Sequence, residues 1–212
     1  MNQKKYPTGV IHGRFQVLHH DHLRYLLAGA ELCHHLVVGI TNPDPHLTRN
    51  DPADPERSHP TANPLSYFER YQLVRAALVE AGLAEGDFSV VPLPINLPER
   101  YRYYVPLEAV FLLSIYDDWG RKKLKHFQEL GLKTHVLWEV SPAEKGLSAG
   151  DVRQLMTTGQ PWQHLVPAAV ARLLQQWQIP TRLATLAPLP GTDAGRRSAA
   201  LGAGRFGDAG RQ

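Results

Sequence analysis

TGVIHGRFQVLHHDHLRYLLAGAELCHHLVVGITN, residues 8–42, decides the fold of this chain. Residues 8–12, TGVIH, are a short β-branched run ending at Gly13, which suits a buried strand. From Asp21 onward Leu23, Leu26, Leu27 and Ala30 recur at helical spacing, so the pattern predicts a helix starting at Asp21 or His22. HLVVGITN (35–42) is a continuous apolar run closed by turn residues, as in a strand covered on both faces. Strand, helix and strand within a few dozen residues make a βαβ unit.

The alternation continues outward. Ser66 with Glu69 three residues on reads as a capping box, opening a helix whose buried stripe is predicted at Tyr67, Tyr71, Val74, Leu78 and Ala81. FSVVPLPI (88–95), AVFLLSI (109–115) and THVLWEV (134–140) are three further strands, with a helix over LKHFQELGL (124–132) between the last two. Helices over 149–158 and 164–177 complete the body. Five strands interleaved with helices predict an α/β, Rossmann-like doubly wound parallel sheet with helices on both faces. Residues 42–64 interrupt the pattern with six prolines, marking a loop or lid. Asp44, Asp51 and Asp54 read as its solvent-facing acids. After Pro180 the chain turns rich in Ala, Gly and Arg without apolar periodicity, so the folded domain is predicted over 1–180 and a disordered basic tail over 181–212.

Composition narrows the function classes. The chain has 23 Lys and Arg against 20 Asp and Glu, but the last 32 residues hold five arginines and two aspartates. That leaves 18 groups of each sign before them, so a basic nucleic-acid face is not expected. A single cysteine, Cys33, excludes a disulfide framework and reads as a small helix-face residue. The first residues lack the apolar run of a signal peptide, and no stretch is long enough to span a bilayer. A cytoplasmic protein without membrane partners is expected.

In a doubly wound sheet, ligands gather beyond the carboxyl ends of the strands, and GRFQVLHHDH (13–22) falls there. His19 and His22 are three residues apart, at a helix N-terminus whose free N–H groups and dipole favour anions. Imidazole donors and a helix terminus aimed at one spot suit a phosphate that gains charge in a transition state. Gly13 lets the backbone approach a ligand. The chemical rival is a metal site of His12, His19, His20 and His22, which lacks an accompanying carboxylate or cysteine set. His20 reads as a solvated side chain, and His34 and His35 as caps on the end of the first helix.

Gly-Arg-Phe-Gln followed by His-x-x-His resembles the first signature of the nucleotidylyltransferase superfamily, usually His-x-Gly-His. LSAGDVR (147–153) is similar to the second, near Ile-Ser-Gly-Thr-x-Ile-Arg: Ser148, Val152 and Arg153 fit, while Ala149 and Gly150 replace glycine and threonine. Further echoes lie in NPLSYFER (63–70), PIN (94–96) and WQHLVP (162–167), so the resemblance spans about residues 8–178 and looks most like nicotinamide-nucleotide adenylyltransferases of the archaeal type.

The resemblance implies in-line transfer of AMP from ATP, with Mg²⁺ bridging the triphosphate, to nicotinamide or nicotinate mononucleotide, pyrophosphate leaving. It places His19, His22 and Arg153 as catalytic groups and Gly13, Arg14, Phe15 and Ser148 on the nucleotide phosphates. Asp118 and Trp119, with Asp117 beside them, become contacts to ribose or base. Asn96, Tyr101 and Tyr104 become acceptor contacts, Tyr101 by stacking on the nicotinamide ring, against the alternative that YRYY merely packs on its neighbours. Lys145 has a phosphate role and an exposed state as its two readings. Asp21 stands where the family has glycine and is left three roles: facing outward, capping the first helix, which is favoured, or binding Mg²⁺. The alternatives are a cytidylyl- or adenylyltransferase for another phosphorylated acceptor, or a non-catalytic nucleotide-binding domain. Oligomeric state is left open, a homo-oligomer included.

Overall fold

The opening βαβ unit forms as strand β1 (Tyr6–Gly13), helix α1 (His20–Leu32) and strand β2 (Cys33–Thr41) in a computed structural model that describes residues 4–44, 60–141, 144 and 146–186. β1 and β2 pair in parallel from Tyr6–Cys33 to Gly13–Ile40. Helix α2 (Tyr67–Glu80), strand β3 (Phe88–Leu93), strand β4 (Val110–Ile115), helix α3 (Asp118–Glu129) and strand β5 (Lys133–Glu139) follow. The body closes with α4 (Ala149–Thr157), α5 (Ala168–Gln176) and α6 (Ile179–Leu186). The five strands form one parallel sheet in the order β3-β2-β1-β4-β5. The chain grows outward on one side of β1 and then on the other, so the order reverses between β1 and β4, where a crevice opens at the strand ends.

Alternation along the strands divides the interior in two. Ile11, Leu36, Val38 and Ile40 join a core with Leu26 of α1, Leu73 to Leu78 of α2, and residues of α4, α5 and α6. Val10, Val37 and Phe111 face the other way, onto Phe127 of α3 and onto Tyr101. The parallel sheet is thus covered on both sides, as its unbroken apolar strands require.

Several boundaries differ from the sequence reading. α1 runs directly into β2 at Cys33, leaving no connection to cap, so His35 lies within the strand and its ring bonds Ser89 Oγ at 2.9 Å rather than capping the helix. His34 is likewise a strand residue, and Cys33 opens the strand with its thiol donating to the Gly29 carbonyl. α3 starts six residues before Leu124 because Asp117 caps it, accepting from the Gly120 N–H at 2.9 Å. On α2 the capping box is present, but the buried stripe is Arg70, Leu73, Val74, Ala77 and Leu78, with Tyr67 and Tyr71 only half-buried. Within the Pro-rich stretch, residues 45–59 lie outside the described residues, Asp51 and Asp54 among them; Lys145 also lies outside.

The folded body does not stop at Pro180. Ile179 and Leu183 of α6 are buried in the main core, and Arg182 makes a two-pronged pair with Glu69 of the α2 capping box, 2.7 and 2.9 Å, while also donating to the Pro64 carbonyl. Residues 187–212 lie outside the described residues. No helix among the described residues is long and apolar enough to cross a membrane.

Leu183→Ala empties a sealed site, so unfolding free energy should fall by about 2–5 kcal/mol. Urea denaturation measures it, and an unchanged midpoint would detach α6 from the core.

Candidate active site

At the carboxyl ends of β1 and β4 the loops enclose a cavity of about 500 Å³, within the range of small-molecule sites. The GRFQ turn forms its floor. Gly13 has no room for a side chain: a Cβ there would lie 2.7 Å from the Phe15 ring. Phe15 takes the left-handed backbone region at φ +51°, a conformation that surrounding contacts must hold. Arg70 donates to the Arg14 carbonyl at 3.1 Å and to the Thr41 carbonyl at 2.7 Å. The Gln16 side chain exchanges two 2.9 Å hydrogen bonds with the Leu65 backbone, and Arg153 donates to the Gln16 carbonyl.

Above the turn stand His19 and His22. His19 is the N-cap residue of α1, 3 % exposed, and its ring centroid lies 3.8 Å from that of His22. The Nδ1 atoms of both are sealed and without a hydrogen-bond partner. Burial pushes His19 down to about 4 despite the opposing charges of Asp21 and Asp151. Burial, with His19 beside it, also holds His22 well below the usual imidazole range. Two neutral rings therefore wait at a helix N-terminus beside Arg14 and Arg153. A negative charge placed beside the two rings would oppose the effect of burial and raise the proton affinity of both.

The second motif arrives from α4. Ser148 caps that helix in a complete capping box with Asp151, its hydroxyl 2.7 Å from Asp151 Oδ2. Ser148, Gly150 and Arg153 line the cavity. Arg153 is held by the Gln16 carbonyl at one end, so the two motifs are bonded to each other. Gly150 is not sterically required, since a Cβ there would make only ordinary contacts at 3.4 and 3.9 Å.

Asp21 is a second tie. The N-cap residue of α1 is His19 and Asp21 lies inside the first turn, so the favoured capping role is not what Asp21 does. Its Oδ2 accepts from the Leu147 N–H at 2.7 Å, across 126 positions of sequence. A Cβ on Gly146 would fall 2.2 Å from that same oxygen, so Gly146 is the residue that admits the carboxylate.

Other predicted contacts divide. Asn96 lies at the exposed rim and Trp119 lines the wall with its Lys123 neighbour's Nζ 4.4 Å from its ring centroid. Tyr101 does not reach the cavity. It is 1 % exposed, donates its hydroxyl to the Ile95 carbonyl at 2.6 Å and packs edge-on against Phe127. Tyr104 packs on the same core and is absent from the lining. Asp118 points away, its side chain 90 % exposed and paired with Arg121, while Asp117 takes the lining place. His20 is exposed, and among the described residues no group of three or more His, Cys, Asp or Glu side chains could hold a metal ion.

The packing roles of Arg70 and Gln16, and the cavity-lining positions of Lys123 and His12, were not evident from the sequence. Lys123 sits at i+4 from Trp119 and i−4 from Phe127, a spacing visible once α3 is known to begin at Asp118. Nothing local distinguishes Arg70 from a solvated helix residue.

No protein-family profile matches the chain. Among curated proteins it is 51 % identical over 176 residues to a phosphonoformate cytidylyltransferase of Streptomyces viridochromogenes, covering 83 % of this chain and 95 % of that one. The chain belongs to the nucleotidylyltransferase superfamily. This nucleotidylyltransferase is also 28 % identical over 180 residues to the nicotinamide-nucleotide adenylyltransferase of Thermococcus kodakarensis, covering 84 % and 88 %. Among solved structures it superposes on a bifunctional NMN adenylyltransferase/ADP ribose pyrophosphatase from Francisella tularensis with a TM-score of 0.59 at 16 % identity. That match covers 87 % of this chain and 58 % of the other, and it supports the fold.

Two outcomes follow for this nucleotidylyltransferase. Neutral His19, and His12 and His22 with it, must gain protons on unfolding below their ordinary pKa near 6.5. The unfolded chain then binds more protons, so stability is full above that pH and declines as pH falls toward 4, by about 1.4 kcal/mol per unit per histidine. Urea midpoints at pH 7 and pH 5 test this, and a flat or rising trend on acidification refutes it. Asp21→Ala and Gly146→Ala should each cost about 1–3 kcal/mol, and the double variant less than their sum, since one hydrogen bond is lost in both. Strict additivity would mean that the tie is not shared.

Proposed function

We propose that this enzyme is a cytidylyltransferase, moving CMP from CTP to a small phosphonate acid of the phosphonoformate kind with release of pyrophosphate. The observation that carries the reading is the 51 % identity, over nearly the whole length, to a protein of that name. Transfer of AMP to a nicotinamide nucleotide is supported less well. The relatives so named share 28 % identity, and Tyr101, the residue expected to stack on the nicotinamide ring, is inside the core.

The chemistry uses the residues in place. A phosphonate oxygen attacks the α-phosphorus of CTP in line; the new P–O bond forms as the α–β bridging P–O bond breaks, and its electrons leave with pyrophosphate. No covalent enzyme intermediate is required, so the protein contributes position and charge. His19 and His22, held neutral by burial, gain proton affinity as the triphosphate enters and donate N–H to its oxygens. Arg14, Arg153, Ser148 and the N-termini of α1 and α4 gather the departing phosphates. Mg²⁺ accompanying the nucleotide would neutralise charge on the departing pyrophosphate, and the carboxylates lining the cavity are Asp21 and Asp117, each accepting one backbone N–H.

Pyrophosphate release, measured with MgCTP or MgATP crossed against phosphonoformate or nicotinamide mononucleotide, tests the assignment. Release should be fastest with CTP and phosphonoformate, and His22→Ala should slow it by about 100-fold or more. Faster release from ATP with the mononucleotide restores adenylyl transfer, and no release from any pair removes the catalytic reading.

A further inference from the structure

The mechanism leaves one buried polar side chain unused. His12, near the end of β1, is 5 % exposed, and neither ring nitrogen has a hydrogen-bond partner. Its neighbour Ile11 faces the main core, so strand alternation turns His12 to the opposite side, where its ring meets Phe127 edge-on at 5.3 Å. An aliphatic residue would fill that strand position without leaving buried nitrogens unbonded, which is unfavourable. The ring also lines the cavity, so a ligand can supply the partner that the protein does not.

Helix α3 brings a charge to the same place. Trp119, Lys123 and Phe127 follow at i, i+4 and i+8 on one face. Phe127 is fixed against the His12 ring, so Lys123 lies one turn closer to the cavity, which it and Trp119 line. Burial first, and Lys123 second, hold His12 neutral. The pair thus offers an ammonium beside a neutral imidazole N–H, with the Asn96 amide at the rim. This group sits at the crevice between β1 and β4, apart from His19 and His22 at the start of α1.

We propose that His12, Lys123 and Asn96 form a carboxylate subsite, which selects an acceptor bearing a carboxylate directly beside its reacting phosphonate. The assignment rests on the cytidylyl-transfer reading and adds the basis of acceptor choice. Its geometry matches the chemistry of phosphonoformate, whose carboxylate is bonded to phosphorus. An acid one bond from the reacting group must be held within a residue's width of the phosphate site, and His12 directly precedes the Gly13–Gln16 turn. An acceptor with no such carboxylate leaves the buried nitrogens of His12 unbonded.

Calorimetric titration of phosphonoformate and of methylphosphonate, which lacks the carboxylate, into protein saturated with α,β-methylene-CTP tests the subsite without turnover. Wild type should bind phosphonoformate at least about tenfold tighter, the worth of one charge-assisted hydrogen bond. Lys123→Met and His12→Phe should each erase most of that ratio, with affinity for the CTP analogue within about twofold and Lys123→Arg recovering part of it. Lys123→Met leaves the core untouched, so it decides the matter even if His12→Phe unfolds. A ratio unchanged in Lys123→Met overturns the subsite. Selective binding that depends on Lys123, without pyrophosphate release from CTP and phosphonoformate, keeps the subsite and rejects the transfer reading. Release with an unchanged ratio does the reverse.

Discussion

The arrangement depends on one buried cation. Arg70 is 2 % exposed and donates to the carbonyls of Ser66, Arg14, Thr41 and Asn42. An interior guanidinium is costly unless its donors are satisfied. Here the acceptors are the loop ends after β1 and β2 and the first turn of α2. Burial lowers its pKa to about 10, yet the group stays charged, and a charged fork bonded to carbonyls on three segments locks them into one relative position. The GRFQ turn and the Thr41–Asn42 wall of the cavity are therefore held by a residue outside it.

A second set of ties joins the two signature motifs. Gln16 is bonded through its side chain to Leu65 and through its carbonyl to Arg153, while Asp21 holds the Leu147 N–H. Substitution of glycine by aspartate at position 21 looks, from sequence, like an obstacle to phosphate binding. In the fold the carboxylate is spent on backbone, and Gly146 supplies the room. The departure from the family pattern and the glycine at 146 are one feature.

Much of this was legible in the chain, for physical reasons. Strand and helix order, the parallel sheet and the capping box at Ser66 depend on periodicity and on contacts three residues apart. His19, His22, Ser148 and Arg153 could be named because two motifs sit at matching ends of the same sheet. Errors gathered where long-range packing overrides a local pattern. Tyr101, expected to stack on the nicotinamide ring, instead packs on its neighbours, claimed by Phe127 and the Ile95 carbonyl. Asp118 gave way to Asp117, since the cap residue turns inward and the next one outward. The tail boundary was set too early, because α6 is secured by a pair reaching back 113 positions to Glu69.

By itself, the sequence determined the doubly wound class and put both signature motifs at the ends of elements that line one cavity. These follow from hydrophobic spacing and helix-end geometry, which act over a few residues. Tertiary structure alone decided that Asp21 ties rather than caps, that Arg70 lies inside, and that His12 and Lys123 meet at the β1–β4 crevice. Each depends on which side of a strand or helix faces a partner far away in sequence, and that is set only when the elements pack.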